Sequence, residues 1–153
     1  MKLWRTALLL LLLSTPSLAL QRAPATDAAA GVRAVWAAQE DAWNRGDLEG
    51  YMVGYWKSPD LTFFSNGDAT HGWQATFDRY RTKYQGGKNH MGKLDFPQLE
   101  TVVLGADAAL VRGRWHLKMP DGKEYAGMTT VIFRKFPEGW RIVHDHSSSA
   151  PTP

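Results

Sequence analysis

The hydrophobic and polar positions of this chain change period partway along, from helical spacing to alternation. From Asp27, a residue suited to cap a helix, Val32, Val35, Trp36, Gln39 and Trp43 fall at steps of three and four, which predicts one buried helical face. Asn44-Arg45-Gly46 ends that helix, and Gly46 suits the left-handed backbone position that follows one. Asp47 opens a second, shorter helix with Leu48, Tyr51, Met52 and Tyr55 along one side, and Ser58-Pro59 stops it. Leu61 to Ser65 reads as a strand, Asn66-Gly67 predicts a tight turn, and a short return strand runs through His71. Helical spacing returns over Trp73 to Tyr84, where Trp73, Phe77, Tyr80 and Tyr84 form one stripe. Plain core packing accounts for such a stripe as well as a pocket wall does. The Gly-containing loop from Gln85 to His90 is placed to serve as a rim or lid.

Beyond that loop the pattern is strand throughout. Met91 to Leu104 comes first, and Pro97 within it predicts an edge position or a bulge. Gly105-Ala106-Asp107, Pro120-Asp121-Gly122 and Pro137-Glu138-Gly139 are turn signals that separate Ala108–Met119, Lys123–Phe136 and a last strand. Three helices followed by an antiparallel meander predict an α+β fold with the helices gathered on one face of the sheet. A two-residue loop at Asp121-Gly122 pairs Pro120 with Lys123, and a three-residue loop at Pro137-Glu138-Gly139 pairs Phe136 with Trp140. One face then holds Val111, Gly113, Trp115, Leu117, Met128, Thr130, Ile132, Trp140, Ile142, His144 and His146. The opposite face holds Arg112, Arg114, His116, Thr129, Val131, Phe133, Arg141, Val143, Asp145 and Ser147. The first set is mostly apolar and is expected beneath the helices.

The leader changes the meaning of the composition. Lys2 and Arg5 precede an apolar run from Ala7 to Leu13, and Ser17-Leu18-Ala19 supplies small residues, which predicts a signal peptide at 1–19 cleaved near Ala19. The run is shorter than the ~20 residues a membrane span needs. Residues 20–27 are expected as a flexible lead-in, 28–149 as a single domain and 150–153 as a tail. With no cysteine there is neither a lipidation site nor a disulfide, and the expected destination is the periplasm or the medium. Without Lys2 and Arg5 the formal charge falls from +3 to +1, so the high isoelectric point is no argument for nucleic acid. No basic cluster or phosphate loop appears, and neither a nucleic-acid partner nor a membrane is expected after cleavage. Six of the seven tryptophans lie outside the leader, which points to an aromatic interior or cavity.

Several motifs together resemble the nuclear transport factor 2-like, or SnoaL-like, superfamily. They are Ala42-Trp43-Asn44-Arg45-Gly46-Asp47-Leu48, Tyr55-Trp56, Gly72-Trp73, Gly113-Arg114-Trp115-His116-Leu117 and the closing Trp140-Arg141-Ile142-Val143-His144-Asp145-His146-Ser147. The last is similar to the end of the association domain of calcium/calmodulin-dependent kinase II, and small exported ketosteroid-isomerase-like bacterial proteins look closer still. The resemblance implies a cone-shaped, curled antiparallel sheet closed by three N-terminal helices, also known as cystatin-like, with a pocket inside and homodimerisation through the outer face. It implies no single reaction, because this fold hosts isomerases, dehydratases, hydrolases and binding modules.

The chemistry must therefore come from the pocket. His146 and His144 are the first candidates, since an imidazole in an apolar cavity can take or give a proton near neutral pH. The structural alternative is a core histidine bonded to Thr130, Tyr55 or a backbone carbonyl. Asp145 is expected outside against Arg114, unless a bulge turns it inward beside His146. Tyr55, Phe63, Trp73, Tyr80, Trp115, Met128 and Thr130 are the expected ligand-binding wall. Two histidines at i and i+2 fall short of the three protein ligands of a catalytic zinc site, so neither a metal nor another cofactor is expected. With Trp36 and Trp43 on the first helix and no acid on the expected inner face, ketosteroid-isomerase chemistry is not expected. Three functions remain open: a small-molecule-binding domain, an enzyme using His146 as acid or base, and a dimerisation module.

Overall fold

The computed structural model describes residues 25–85 and 91–150, so the leader, the start of the lead-in, most of the Gln85–His90 loop and the last three residues lie outside the described residues. Helix α1 spans Ala25–Asn44, α2 Leu48–Met52 and α3 Trp73–Tyr84; the strands are β1 Thr62–Ser65, β2 Asp68–His71, β3 Lys93–Val103, β4 Ala108–Lys118, β5 Glu124–Phe136 and β6 Gly139–Ser149. All six strands form one sheet in the order β2-β1-β6-β5-β4-β3, with β1 and β6 parallel and every other neighbouring pair antiparallel. The fold is the expected α+β one: N-terminal helices on a curled sheet that does not close.

Helix α1 buries Ala28, Val32, Trp36, Gln39 and Trp43, the face that the helical spacing marks out. Its C-terminal end is fastened to the sheet by Asn44, whose side chain donates to the Leu94 carbonyl and accepts from the Leu94 amide, both at 2.8 Å. Gly46 then turns the chain at φ 81°, and Asp47 caps α2 by accepting from the Gly50 amide at 2.7 Å. Strand β3 is an edge, and its pairing with β4 shifts between Asp95 and Gln98, so Pro97 sits at a bulge where its missing N–H costs no ladder bond. Opposite that bulge a side chain at Gly113 would run into the Gln98 carbonyl oxygen.

The register of β5 corrects the expected inner face. The loop between β4 and β5 holds five residues, closed by the Met119 amide donating to the Lys123 carbonyl at 2.8 Å, and Lys118 pairs with Glu124. Val111 therefore faces Val131 instead of Ile132, and a step of one residue exchanges the two sides of a strand. Val131 and Phe133 are fully buried, Ile132 is half-buried on the outer side, and Met128 and Thr130 are exposed there.

Strand β6 starts inward with Trp140 and Ile142, then changes parity. Phe133 pairs with Ile142 and Ile132 with His144, leaving Val143 as the extra residue of a bulge. The bulge coincides with a change of partner: the Ile142 amide donates to Gly54 and its carbonyl accepts from Trp56, both at 2.9 Å, whereas from His144 onward β6 runs beside β1. Beyond it Asp145 is buried and His146 is exposed. The histidines expected inside are thus on the outer face.

Candidate functional site

The curled sheet and the helices enclose a hollow of about 90 Å3. Trp36 and Trp43 of α1, Tyr51 of α2, and Tyr80 and Tyr84 of α3 roof it, while Leu94, Phe96, Trp115 and Leu117 form its sheet side. The rings meet mainly edge to face, with Trp43 at 5.0 Å from Tyr51 and 4.8 Å from Tyr84, and Tyr51 at 5.4 Å from Tyr80. Such geometry locks each ring through its neighbours and leaves a rigid apolar wall.

One carboxyl interrupts that wall. Asp145 lines the hollow with only 4% of its surface exposed. Tyr55 donates its hydroxyl proton to Oδ2 at 2.8 Å, and Ser147 donates to Oδ1 at 2.7 Å. Thr129 lies 3.5 Å from the same Oδ1 and 3.1 Å from the Ser147 hydroxyl. Ser147 has one proton to share between the carboxyl and the Thr129 hydroxyl, and the shorter contact is the one to the carboxyl. On the other side the Tyr51 and Tyr55 hydroxyls are 3.4 Å apart. A chain of hydroxyls therefore runs Thr129–Ser147–Asp145–Tyr55–Tyr51, and Thr129, Ser147 and Tyr51 at its ends also face the hollow.

Burial pushes the Asp145 carboxyl above the usual carboxylate range, and the hydrogen bonds from Ser147 and Tyr55 only partly oppose it. No Lys or Arg pairs with it among the described residues. Burial also raises Tyr51 and Tyr55, so both hydroxyls keep their protons and act as donors. A raised carboxyl in an apolar hollow is equipped to hold or release one proton where a ligand would lie.

The expected site residues divide between two sides of the sheet. Phe63, Tyr80, Trp115 and Asp145 line the hollow. Tyr55 stands behind it and orients Asp145. Trp73 instead stacks on Phe77 at 5.3 Å and donates to the Met52 carbonyl, joining α3 to α2 as the core-packing alternative requires. Met128 and Thr130 face away because β5 is shifted by one residue. His144 is half-buried on the outer face, where Nδ1 lies 2.7 Å from the Thr62 hydroxyl and burial lowers its pKa. His146, exposed beside it, is 6.1 Å from the Phe64 ring. The expected Asp145–Arg114 pair is absent because the bulge turns Asp145 inward.

Ser147 and Thr129, which alternation alone assigned to the outer face, are the polar groups that sequence reasoning missed. Gly127 carried a usable signal: a side chain there would collide with the Ser148 carbonyl and press into the Trp115 ring. A glycine under a tryptophan places Gly127, Thr129 and Val131 on the inner side. Among the described residues no group of three or more His, Asp or Glu side chains is arranged to hold a metal ion.

A curled sheet with three helices across it and a ring-lined hollow holding one buried carboxyl define a cone-shaped α+β fold. The family model described as a SnoaL-like domain matches residues 32–153, and the chain belongs to that nuclear transport factor 2-like family. It is similar to a nuclear transport factor 2-like protein of unknown function from Shewanella oneidensis, at 38% identity over 79% of this chain and 98% of that one, with a TM-score of 0.73. A ketosteroid isomerase-like protein from Erwinia carotovora shares the fold at 21% identity, covering 80% and 96% of the two chains, with a TM-score of 0.65. A Xanthomonas campestris protein named for the calcium/calmodulin-dependent protein kinase II association domain does so at 18%, covering 80% and 87%, with a TM-score of 0.63. No functionally curated protein matches the chain.

Proposed function

We propose that this chain binds a compact, largely apolar small molecule in its aromatic hollow and that Asp145 transfers a proton to or from it. The observation that carries this reading is the position of Asp145: buried, without a cationic partner among the described residues, and set in the wall of the hollow by two short hydrogen bonds. A structural carboxyl would be expected to face a cation or to lie away from open space. Here the hydroxyls of Ser147 and Tyr55 fix both oxygens and leave the carboxyl free to change its proton. The acid that ketosteroid-isomerase chemistry requires, expected to be missing, therefore has a candidate, with tyrosines supplied by α2 and the segment after it. An isomerisation, in which one carboxyl removes and returns a proton, uses this arrangement most directly, and the fold shared with the Erwinia protein is compatible with it.

The test compares Asp145→Asn with His146→Ala over a panel of small metabolites, reading binding by native mass spectrometry and conversion by NMR. Conversion is expected to fall about 10²-fold or more in Asp145→Asn and to stay within about twofold in His146→Ala. Equal conversion by wild type and Asp145→Asn would remove Asp145 from the chemistry. A molecule held equally well by Asp145→Asn, with no conversion by wild type, would favour the pure binding domain.

We further propose export with cleavage near Ala19, supported by Lys2, Arg5 and the apolar run, and checked by the N-terminal mass of the mature chain. Homodimerisation is proposed through the outer face, where Met128 is 47% exposed, and light scattering reads it directly.

A further inference from the structure

We infer that the molecule taken up by this hollow is an amphipathic carboxylate, with its apolar body among the rings and its anionic end at the mouth between Arg79 and Lys83. The inference rests on the reading that the hollow is a ligand site and adds the class of ligand. Arg79 and Lys83 are one turn apart on α3, and both belong to the lining, together with the hydroxyls of Ser65, Ser147 and Ser149. Lys83 is exposed and Arg79 half-buried, which puts the two charges at the outer end while Asp145 holds the inner one.

Neither cation is well neutralised by the protein. Arg79 meets Asp68 at 3.3 Å, but that aspartate side chain is 70% exposed and water screens the pair. Lys83 pairs with no carboxylate among the described residues; its ammonium lies 5.1 Å from the Tyr84 ring centre. The Arg79 guanidinium lies 5.7 Å from the Phe63 ring centre. Tyr84 and Phe63 are themselves walls of the hollow, so each charge is supported on a ring of the site. Like charges four residues apart on a helix repel, and an anion seated between them relieves that repulsion. A cationic ligand would meet these charges at the entrance, and a neutral one would leave them unused.

The test uses three probes with the same ring: benzoate, benzamide and benzylamine, titrated at neutral pH into the full domain while the tryptophan indole N–H signals are followed by NMR. Benzoate is expected to bind roughly fivefold to tenfold more tightly than benzamide, with benzylamine weakest. In Arg79→Gln/Lys83→Gln the benzoate advantage is expected to vanish while benzamide binding is unchanged. Equal affinities in wild type, a preference for benzylamine, or a benzoate advantage that survives the double substitution would each overturn the inference and leave the hollow as a ligand site. Failure of all three probes to move any indole signal of wild type would overturn that reading and this one together.

Discussion

On the outer face of the sheet Glu100 accepts two hydrogen bonds from Arg112 at 2.9 and 3.0 Å, and Glu124 lies against both His116 and Lys118. Hydrogen bonds from those partners hold both glutamates below the usual carboxylate range. On the inner face Asp145 has hydroxyls for neighbours, and burial moves it the opposite way. The same functional group is thus held as an anion on one side of the sheet and has its charged form penalised on the other. Burial without a paired Lys or Arg makes the difference, because low dielectric penalises the charged form and the hydroxyl hydrogen bonds offset only part of that penalty. Electrostatics on the outer side is local and screened; on the inner side it is built into the packing.

The largest expected contrast lies between neighbours on β5. Phe133 is fully buried and 6.1 Å from the Trp36 ring, so Phe133→Ala should cost about 3–5 kcal/mol in a urea titration. Ile132→Ala, on the outer side of the same strand, should cost about 1 kcal/mol. Equal losses would mean that the two sides are not separated as the register requires.

Next comes the pH dependence of Asp145. Its folded pKa lies above the unfolded value of about 3.9, so the folded state holds the proton longer. That contribution to stability is complete below the unfolded pKa and is lost as pH rises through the folded one. Asp145→Asn cannot titrate, so its stability relative to wild type should increase as pH rises through that window. Urea midpoints taken at a series of pH values for both proteins check this, and parallel curves would show that burial does not shift the carboxyl.

The elements of this fold were legible because their signals are local. Trp36, Gln39 and Trp43 repeat at helical spacing, Asn66-Gly67 marks a turn that places both residues at positive φ, and Pro97 marks a bulge on an edge strand. The site was less legible because it depends on parity. Residues 128–133 are Met-Thr-Thr-Val-Ile-Phe, which offers an apolar set to either side, so alternation could not orient β5. The five-residue loop at Met119–Lys123 decided the question by one step. In β6 the bulge at Val143 is dictated by a partner far along the chain, the Gly54–Trp56 segment, and nothing within His144-Asp145-His146 announces it. The first error exchanged Met128 and Thr130 for Thr129, and the second exchanged the histidines for the aspartate.

His144 offers a smaller effect. Its hydrogen bond to Thr62 ties β6 to β1, and His144→Ala should cost about 1 kcal/mol without changing ligand binding. Burial lowers its pKa, so its contribution is present above about pH 6.5 and is lost as pH falls through the folded value. A loss of ligand binding in this variant with the fold intact would bring the outer histidines back into the site.

His116 should show the opposite sign and the smallest size. Its two ring nitrogens lie 3.0 Å from Asp95 and 3.2 Å from Glu124, and hydrogen bonds to those carboxylates raise its pKa. A raised folded value means that the imidazolium form supports the fold: the contribution is complete below the unfolded pKa and disappears as pH rises through the folded one. Because the pairs are exposed to water, His116→Gln should cost only about 0.2–1 kcal/mol at low pH and nothing measurable well above it. In about 1 M salt, where the screening length shrinks to about 3 Å, most of that loss should vanish. The Asp145 curve should keep its shape under the same salt, since no solvent ion reaches between the carboxyl and the rings around it. A salt response of equal size at both positions would erase the distinction between the two faces of the sheet.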